Sequence, residues 1–250
     1  MIKNFREALR RGTPLNGVLV TMPSPEVVEI LSTAGFDWLF FDLEHSPTTF
    51  QDLQNLIRIA SPRCFCAVRV PENNPVYISR ALDVGAEGVI LPRISSAAEA
   101  QQAVAWSKYP PRGTRGIGVG RAQSYGRELE EYLRHANDYI AVILQIEDAE
   151  GARNAREIAR VEGVDALFVG PYDLSASLGV TGQVGHPSVQ DAIAQVASCR
   201  SGDTAVGIFS LDPAALRARA EAGFTLLACG VDTTLLAQGA KIVLDELKPA

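Results

Sequence analysis

The sequence predicts a (β/α)8 barrel, and three observations point to that fold class. Short apolar runs recur along the chain, a helical segment follows each run, and the chain has 250 residues. Apolar runs without alternation are typical of strands buried on both faces of a parallel sheet. Eight strand–helix units close as a barrel, for which about 250 residues is a common length. We therefore expect one domain over residues 1–250, without a linker.

Each strand is predicted from an apolar run that is too short to form a helix. In chain order the predicted strands are 17–21, 37–42, 66–70, 88–91, 140–146, 166–169, 205–209 and 226–229. Proline suits the first turn of a helix and glycine its end, so Pro25 and Gly35 bound the helix after the first strand. The predicted helices are 3–11, 25–34, 49–60, 75–84, 97–108, a segment ending near His135, 149–161, 189–199, 213–222 and 233–247.

Two segments, 110–126 and 171–187, are poor in helix signals, and we place them after strands four and six. Long loops after strands are where a barrel builds its active site. A doubly wound open sheet is the main competing fold. That fold would need a glycine-rich fingerprint after the first strand, where this chain has Thr21-Met22-Pro23-Ser24-Pro25.

The composition limits the classes of partner. A net charge of −6 and a pI near 5.2 argue against a nucleic-acid surface. No apolar run approaches the roughly 18 residues that a membrane span needs, and the N-terminus lacks a signal-peptide core. The four cysteines form no CxxC pair, so a structural zinc site is not expected, and free thiols fit a reducing compartment. We expect a soluble, cytoplasmic protein.

Polar and charged residues cluster where the predicted strands end. Unpaired buried charge costs several kcal/mol, so their recurrence at strand ends indicates a functional site rather than chance. They are Asp42, Glu44 and His45 after strand two, Arg69 in strand three, Arg93 after strand four, Gln145 and Glu147 at strand five, Asp173 after strand six and Asp232 after strand eight.

Glu147 and Asp173 end neighbouring strands, and two carboxylates with open positions between them suit Mg²⁺ or Mn²⁺. The alternatives are that Asp173 caps a helix and that Glu147 is an exposed loop acid. His45 is the natural proton carrier, with a purely structural role as its alternative. Arg69 shares a strand face with Ala67, which favours an inward position over an outer salt bridge.

Lysine is scarce, and its positions exclude one mechanism. The chain has Lys3, Lys108, Lys241 and Lys248, none of them at the end of a predicted strand. A Schiff-base aldolase needs a lysine nucleophile inside the barrel. We therefore expect no Schiff-base lysine.

With these residues in place, the sequence resembles the HpcH/HpaI aldolase family, the metal-dependent (class II) pyruvate aldolases of the phosphoenolpyruvate/pyruvate barrel superfamily. The resemblance covers nearly the whole chain, and the order of its motifs makes it specific. The motifs are Ala34-Gly35-Phe36-Asp37-Trp38, Asp42-Leu43-Glu44-His45, Val68-Arg69, Leu82-Asp83-Val84-Gly85, Tyr109-Pro110-Pro111-Arg112-Gly113-Thr114-Arg115-Gly116, Gln145-Ile146-Glu147, Gly170-Pro171-Tyr172-Asp173-Leu174-Ser175 and Gly230-Val231-Asp232-Thr233-Thr234-Leu235-Leu236.

The resemblance implies a role for each site residue. Glu147 and Asp173 would ligate a divalent metal (Mg²⁺, Mn²⁺ or Co²⁺), with no organic cofactor. Arg69 would stabilise the enolate oxygen of pyruvate, and His45 would handle the proton. The same resemblance implies that Asp83 orients His45 and that the backbone at Asp173, Leu174 and Ser175 binds the substrate carboxylate. It also implies that Gln145, Asp42 and Glu44 support the metal's waters and the substrate. Arg121 would contact a distal carboxylate or hydroxyl of the substrate.

The implied activity is reversible cleavage of a 4-hydroxy-2-oxo acid into pyruvate and an aldehyde through a metal-bound pyruvate enolate. Oxaloacetate decarboxylation or condensation with another keto acid would use the same residues. A CoA-ester lyase is disfavoured because no adenine-binding segment is evident, and an intact site disfavours a non-catalytic metabolite-binding barrel. The resemblance also implies a homohexamer, a trimer of dimers, in which the helix 233–247 packs on a neighbouring subunit.

Two residues depart from the family pattern near the predicted pocket. Tyr172 lies where some relatives carry a small residue, which is expected to narrow the pocket. Leu19 lies where some relatives carry a tryptophan. Both changes concern the aldehyde and leave the predicted chemistry intact.

Overall fold

A computed structural model of the protein describes residues 4–248 and contains a closed barrel of eight parallel strands, each hydrogen-bonded to the next along the chain. The predicted (β/α)8 barrel is confirmed. The strands are β1 (Leu15–Val20), β2 (Trp38–Asp42), β3 (Phe65–Arg69), β4 (Gly88–Leu91), β5 (Ala141–Ile146), β6 (Ala166–Val169), β7 (Ala205–Ser210) and β8 (Leu226–Val231).

Eleven α-helices lie within residues 4–248, and a 3₁₀ helix spans Arg121–Gly126. Lys3, the predicted start of the first helix, lies outside the described residues. The helices are α1 (Phe5–Arg10), α2 (Pro25–Thr33), α3 (Phe50–Ala60), α4 (Pro75–Asp83), α5 (Ala97–Ser107), α6 (Leu129–Tyr139), α7 (Ala149–Ala159), α8 (Pro171–Ser177), α9 (Pro187–Ala197), α10 (Pro213–Glu221) and α11 (Asp232–Leu247).

Aromatic side chains fill the barrel interior. Trp38, Phe40 and Phe168 pack edge-to-face or stacked, with ring centroids 5.6–6.1 Å apart. Phe5 of α1 closes the N-terminal end of the barrel and stacks on Phe65 at 4.7 Å. The interior is therefore a packed core, and in such barrels the ligand site lies at the C-terminal ends of the strands.

Gly17 in β1 makes room for the largest of these rings. A Cβ atom at this position would lie 2.4 Å from the indole of Trp38, whose N–H donates to the carbonyls of Leu15 and Leu227. We expect Gly17→Ala to lower the free energy of unfolding in urea by about 1–3 kcal/mol through overpacking. Gly202→Ala, in an exposed loop, meets nothing within 4 Å and is the matched control, with no loss of stability. An equal effect of the two variants would contradict this packing account.

The segment 110–126 corrects one prediction. It follows α5 rather than β4, so it connects a helix to the next strand and lies at the N-terminal end of the barrel, away from the strand ends that carry the site. The segment 171–187 does follow β6, but it begins with a short helix, α8. The first placement was wrong because the intervening helix reverses the direction of the chain.

The last helix, α11, differs from the others because its apolar side chains remain exposed. Exposed fractions from 40% to 76% occur at Leu235, Leu236, Ile242, Val243, Leu244 and Leu247. Such a contiguous apolar surface is typical of a protein contact. Across residues 4–248, no helix combines the length and apolar character that crossing a bilayer requires.

Candidate active site

A buried ion pair joins the ends of β2 and β3. Asp42 and Arg69 are register partners, and the Arg69 guanidinium donates from Nε (2.9 Å) and Nη2 (2.7 Å) to the two oxygens of Asp42. The guanidinium lies over the ring of Phe40, 5.4 Å from its centroid, so Arg69 points into the barrel. Burial opposes its charge, but the carboxylates around it outweigh that effect and raise the pKa of Arg69. Arg69 is a fixed cation at the barrel mouth.

Glu44 links this pair to the predicted proton carrier. Its Oε2 atom lies 3.5 Å from Arg69 Nε and 3.8 Å from His45 Nε2, and no hydrogen bond satisfies that oxygen. The His45 side chain is 64% exposed, whereas the Glu44 side chain is 9% exposed. His45 can therefore exchange protons with solvent while it remains beside a buried carboxylate.

Glu147 is the buried carboxylate at the end of β5. Its Oε1 accepts the backbone N–H of Arg93 at 2.7 Å, and its Oε2 accepts the side-chain amide of Gln145. Burial, and then the charges of Glu44 and Asp173, raise the pKa of Glu147 to about 7. Burial is the largest of these causes, so an ionised Glu147 needs a partner that compensates its charge.

This donor set fits a divalent cation. A cation between Glu147 and Asp173 would compensate the buried charge of Glu147 and its repulsion from the nearby carboxylates, and the buried Oε1 of Gln145 has no hydrogen-bond partner. Within residues 4–248, no three His, Cys, Asp or Glu side chains converge as a closed metal site. Two carboxylates that leave positions for water and substrate are the arrangement Mg²⁺ prefers.

Gly170 lets the chain pass close to these groups. A Cβ atom there would lie 2.9 Å from Gln145 Nε2 and 3.0 Å from Glu147 Oε2. Pro171 then begins α8, which places Asp173 in its first turn. Any side chain at position 170 would displace the amide and carboxylate.

The hydrogen bonds of α8 do not support the substrate-binding role predicted for Leu174 and Ser175. The N–H of Leu174 donates to the carbonyl of Gly170 at 3.0 Å, and the Ser175 hydroxyl donates to the carbonyl of Tyr172. Because α8 begins at Pro171, the N–H groups without an acceptor inside the helix belong to Tyr172 and Asp173. This helix lies in the segment 171–187, for which the sequence predicted little helix.

Two predicted site residues lie at the opposite end of the barrel. Asp83 ends α4, where it accepts from Arg115 at 2.7 Å, so one protomer does not bring it to His45. Arg121 donates to the carbonyl of Val84 and the hydroxyl of Ser61, and it does not line the site of its own protomer. The substrate-binding role of Arg121 stays a prediction, because the loop 110–126 follows α5 and one protomer does not bring it to the strand ends.

Arg93 has a role that the sequence did not reveal. Its backbone has φ 55°, a left-handed conformation that is uncommon outside glycine, and this turn aims its N–H at Glu147. Its guanidinium lies 2.9 Å from Glu44. The sequence indicated Arg93 only through its position after an apolar strand. Nothing in the sequence indicates that its backbone adopts a left-handed conformation.

Asp232, by contrast, is structural. Its carboxylate accepts the backbone N–H groups of Thr21 and Met22 and the hydroxyl of Thr21. These bonds tie the end of β1 to the start of α11 and use both carboxylate oxygens. Asp232 therefore connects two elements of the barrel and is not counted among the site residues.

Residues 16–239 match the family model for HpcH/HpaI aldolase/citrate lyase. The chain belongs to this family. It is 42% identical over 241 residues to a protein of Salmonella dublin named 4-hydroxy-2-oxo-heptane-1,7-dioate aldolase, covering 95% of this chain and 91% of the relative. The resemblance noted in the sequence is confirmed, and the protein is a lyase of the aldolase type.

Solved structures of family members have the same architecture. An HpcH/HpaI aldolase/citrate lyase family protein of Burkholderia cenocepacia J2315 superposes with a TM-score of 0.94 at 37% identity, covering 98% of this chain and 99% of that chain. An HpcH/HpaI aldolase of Desulfitobacterium hafniense DCB-2 gives 0.90 at 30% identity, covering 100% and 98%. The barrel is thus the family fold over its full length.

The raised pKa of Glu147 predicts a pH-dependent stability in the metal-free protein. The folded state holds this proton more tightly than the unfolded state, whose value is near 4.5, so the stabilisation is complete below pH 4.5 and is lost as pH rises through 7. Between pH 4.5 and 8 we expect the free energy of unfolding to fall by about 3 kcal/mol relative to Glu147→Gln. Parallel pH profiles for the two proteins in urea would disprove this assignment.

Proposed function

We propose that this member of the family reversibly cleaves a 4-hydroxy-2-oxo acid into pyruvate and an aldehyde. The observation that carries the proposal is that Arg69, Asp173 and His45 line one cavity at the barrel mouth, where Gln145, which also lines it, donates to Glu147. The name of the Salmonella dublin relative, an aldolase for 4-hydroxy-2-oxo-heptane-1,7-dioate, supports the same substrate class.

Glu147 and Asp173 hold the divalent metal in this proposal, with Mg²⁺, Mn²⁺ and Co²⁺ as the candidates. When bound, the metal acts as a Lewis acid that polarises the 2-oxo group and neutralises charge on its oxygen. Gln145 holds Glu147 in place through its amide, and the backbone N–H of Arg93 fixes the other carboxylate oxygen. No organic cofactor takes part.

Arg69 stabilises the negative charge that develops on the C2 oxygen of the substrate. Its ion pair with Asp42 uses Nε and Nη2 and leaves Nη1 available, so the guanidinium is oriented before substrate arrives. His45 takes the proton from the C4 hydroxyl. The C3–C4 bond then breaks, the aldehyde leaves, and protonation of the remaining enolate at C3 gives pyruvate.

A Schiff base is not part of the proposal. Among the described lysines only Lys108 is buried, and its Nζ donates to the carbonyls of Asn137 and Ile140 at the N-terminal end of the barrel. Lys241 and Lys248 lie on or next to α11 and pair with Asp245. None of these amines reaches the carboxylate cluster.

Product analysis tests the reaction class. The purified protein with Mg²⁺ is incubated with 4-hydroxy-2-oxopentanoate and, separately, with oxaloacetate, and pyruvate, aldehyde and CO₂ are quantified. Cleavage predicts equal amounts of pyruvate and acetaldehyde from the first substrate. Decarboxylation of oxaloacetate without any aldol cleavage would replace the proposal with the alternative that the same residues also permit.

We also propose a homohexamer, a trimer of dimers, in which α11 packs on a neighbouring subunit. The exposed apolar residues of α11 support this arrangement. In this proposal the whole chain is one barrel domain. The enzyme is cytoplasmic, and its partners are small-molecule substrates. Six chains of 26.8 kDa give about 161 kDa (6 × 26.8).

A charge within the apolar surface of α11 should dissociate this assembly. We expect Leu236→Lys to reduce the mass measured by light scattering, because a lysine ammonium is costly to bury at an apolar contact. Gln238→Lys adds the same charge to a polar position of the same helix and is the control. If both variants keep the parental mass, α11 is not the contact.

The hexamer gives Asp83 a route to its predicted role. Since Asp83 and His45 lie at opposite ends of one protomer, Asp83 can orient His45 only from a neighbouring subunit. Co-refolding Asp83→Asn chains with His45→Asn chains should then regenerate sites in which both residues are intact. Activity above that of either parent variant supports the exchange, and its absence assigns Asp83 to the structural pair with Arg115.

A further inference from the structure

Charged side chains of alternating sign form a row across the ends of β2, β3 and β4. Arg69 pairs with Asp42 at 2.7 Å and lies 3.5 Å from Oε2 of Glu44. The other oxygen of Glu44 lies 2.9 Å from Nη2 of Arg93, which follows β4 and has a side chain that is 64% exposed. Two carboxylates and two guanidinium groups therefore balance at this side of the barrel mouth.

Arg93 contacts the ends of three strands besides its own. Its guanidinium donates to the carbonyl of Pro71, two residues after β3, and pairs with Glu44, two residues after β2. Its backbone N–H donates to Glu147, directly after β5, and the next N–H, of Ile94, donates to a carbonyl of β5. With φ 55°, the N–H and the guanidinium of this one residue reach opposite sides of β4.

The guanidinium of Arg93 affects what Arg69 can do. Among residues 4–248, the arginines within 4 Å of Glu44 are Arg69 and Arg93. The Glu44 side chain is 9% exposed, and a charge so well buried needs a partner. Without Arg93, that arginine partner would be Arg69, whose charge would then be shared between two carboxylates and would be less available to the substrate oxygen.

We propose that Arg93 is a positioning residue with two separable roles. Its guanidinium balances Glu44 and so leaves Arg69 free to stabilise the enolate oxygen, while its left-handed backbone holds Glu147 in the orientation that binds the metal. The inference rests on the proposed function, because Arg69 and Glu147 are the groups through which Arg93 acts. Arg93 itself makes no contact with the substrate in this proposal.

Arg93→Gly separates the two roles, because glycine adopts a left-handed backbone without strain and has no side chain. We expect kcat for cleavage of 4-hydroxy-2-oxopentanoate to fall about tenfold, with a smaller change in KM. Mn²⁺ affinity measured by calorimetry should be no weaker than in the parent, since the N–H that binds Glu147 is kept and a nearby positive charge is removed. Parental kcat in this variant would overturn the role of the guanidinium.

Arg93→Lys tests whether the positive charge is what matters. The contact of Arg93 with Glu44 uses one nitrogen, so a lysine ammonium can replace it without the planar guanidinium. We expect Arg93→Lys to have a kcat within about threefold of the parent. A kcat no higher than that of Arg93→Gly would contradict the charge balance.

Arg93→Val tests the backbone. Valine also lacks the guanidinium, but a β-branched residue is strongly disfavoured at φ 55°, so the turn should relax and move the N–H away from Glu147. Mn²⁺ binding should be at least about tenfold weaker than in Arg93→Gly, with Arg93→Ala between the two. Urea unfolding checks that each variant folds, and the comparison of glycine with alanine stands even where valine prevents folding. Equal Mn²⁺ affinity in the folded variants would overturn the role of the backbone.

Arg63→Gly is the matched control, because it removes an exposed arginine from a turn before β3, at the other end of the barrel. It should keep the parental kcat and Mn²⁺ affinity, and losses equal to those of the Arg93 variants would contradict a role specific to Arg93. Exchange of the pyruvate C3 protons in the metal-loaded parent separates the inference from the proposed function. Absence of this exchange would refute the proposed function, whereas exchange in the parent together with parental kcat in Arg93→Gly would refute the role of the guanidinium alone.

Discussion

Replacing Arg69 with lysine is expected to lower kcat for cleavage by about 10²–10³-fold, with a smaller change in KM. The guanidinium reaches the substrate with a fixed orientation because Asp42 holds two of its nitrogens. A lysine ammonium keeps the charge but lacks the planar guanidinium with its several N–H donors. It therefore cannot bind both oxygens of Asp42 and at the same time donate to the C2 oxygen of the substrate. Steady-state kinetics with a 4-hydroxy-2-oxo acid measures the effect.

Arg6→Lys is the matched control for this variant. Arg6 also belongs to a buried ion pair, with Asp165 at 2.6 Å, but that pair lies at the N-terminal end of the barrel. We expect Arg6→Lys to alter stability and leave kcat within about twofold of the parent. Retention of parental kcat in Arg69→Lys would remove Arg69 from the mechanism.

Removing either carboxylate of the proposed metal pair is expected to have the second large effect. Glu147→Gln and Asp173→Asn keep the size of each side chain and remove its charge. Loss of one of two charged ligands should abolish measurable Mn²⁺ binding by calorimetry at micromolar concentrations and lower kcat by about 10³-fold or more. Glu147→Gln should also abolish the pH-dependent stability described above.

Asp212→Asn controls for the general loss of negative charge. Asp212 follows β7 at the same end of the barrel, but its carboxylate caps α10 by accepting the N–H of Ala214 at 2.8 Å. This variant should bind Mn²⁺ as the parent does. Parental Mn²⁺ affinity in both Glu147→Gln and Asp173→Asn would place the metal elsewhere.

Local patterns were sufficient to predict the barrel and the position of most charged residues at its open end. Asp42 and Arg69 end neighbouring strands of one parallel sheet, so their pairing follows from the register that the strand order imposes. The same reasoning brought Glu147 near Asp173, because β5 and β6 are neighbours. The C-terminal ends of all eight parallel strands lie at the same end of the barrel, and this does not depend on how individual side chains pack.

Features that depend on the path of a loop or on a second chain were beyond such reasoning. Arg121 was expected at the strand ends, whereas a loop that follows α5 lies at the N-terminal end of the barrel. The left-handed turn at Arg93 contradicts the ordinary preference of arginine and is fixed only by its contacts with Glu147 and Glu44. Asp83 lies at the far end of its own protomer, so only a neighbouring subunit could bring it to a site.

Exchange of the C3 protons of pyruvate in deuterated buffer, followed by NMR, tests the central claim most directly. The account predicts exchange with Mn²⁺ or Mg²⁺ that disappears with EDTA, in Glu147→Gln and in Arg69→Lys. Exchange that persists undiminished in EDTA, or that is absent from the metal-loaded protein, would contradict it.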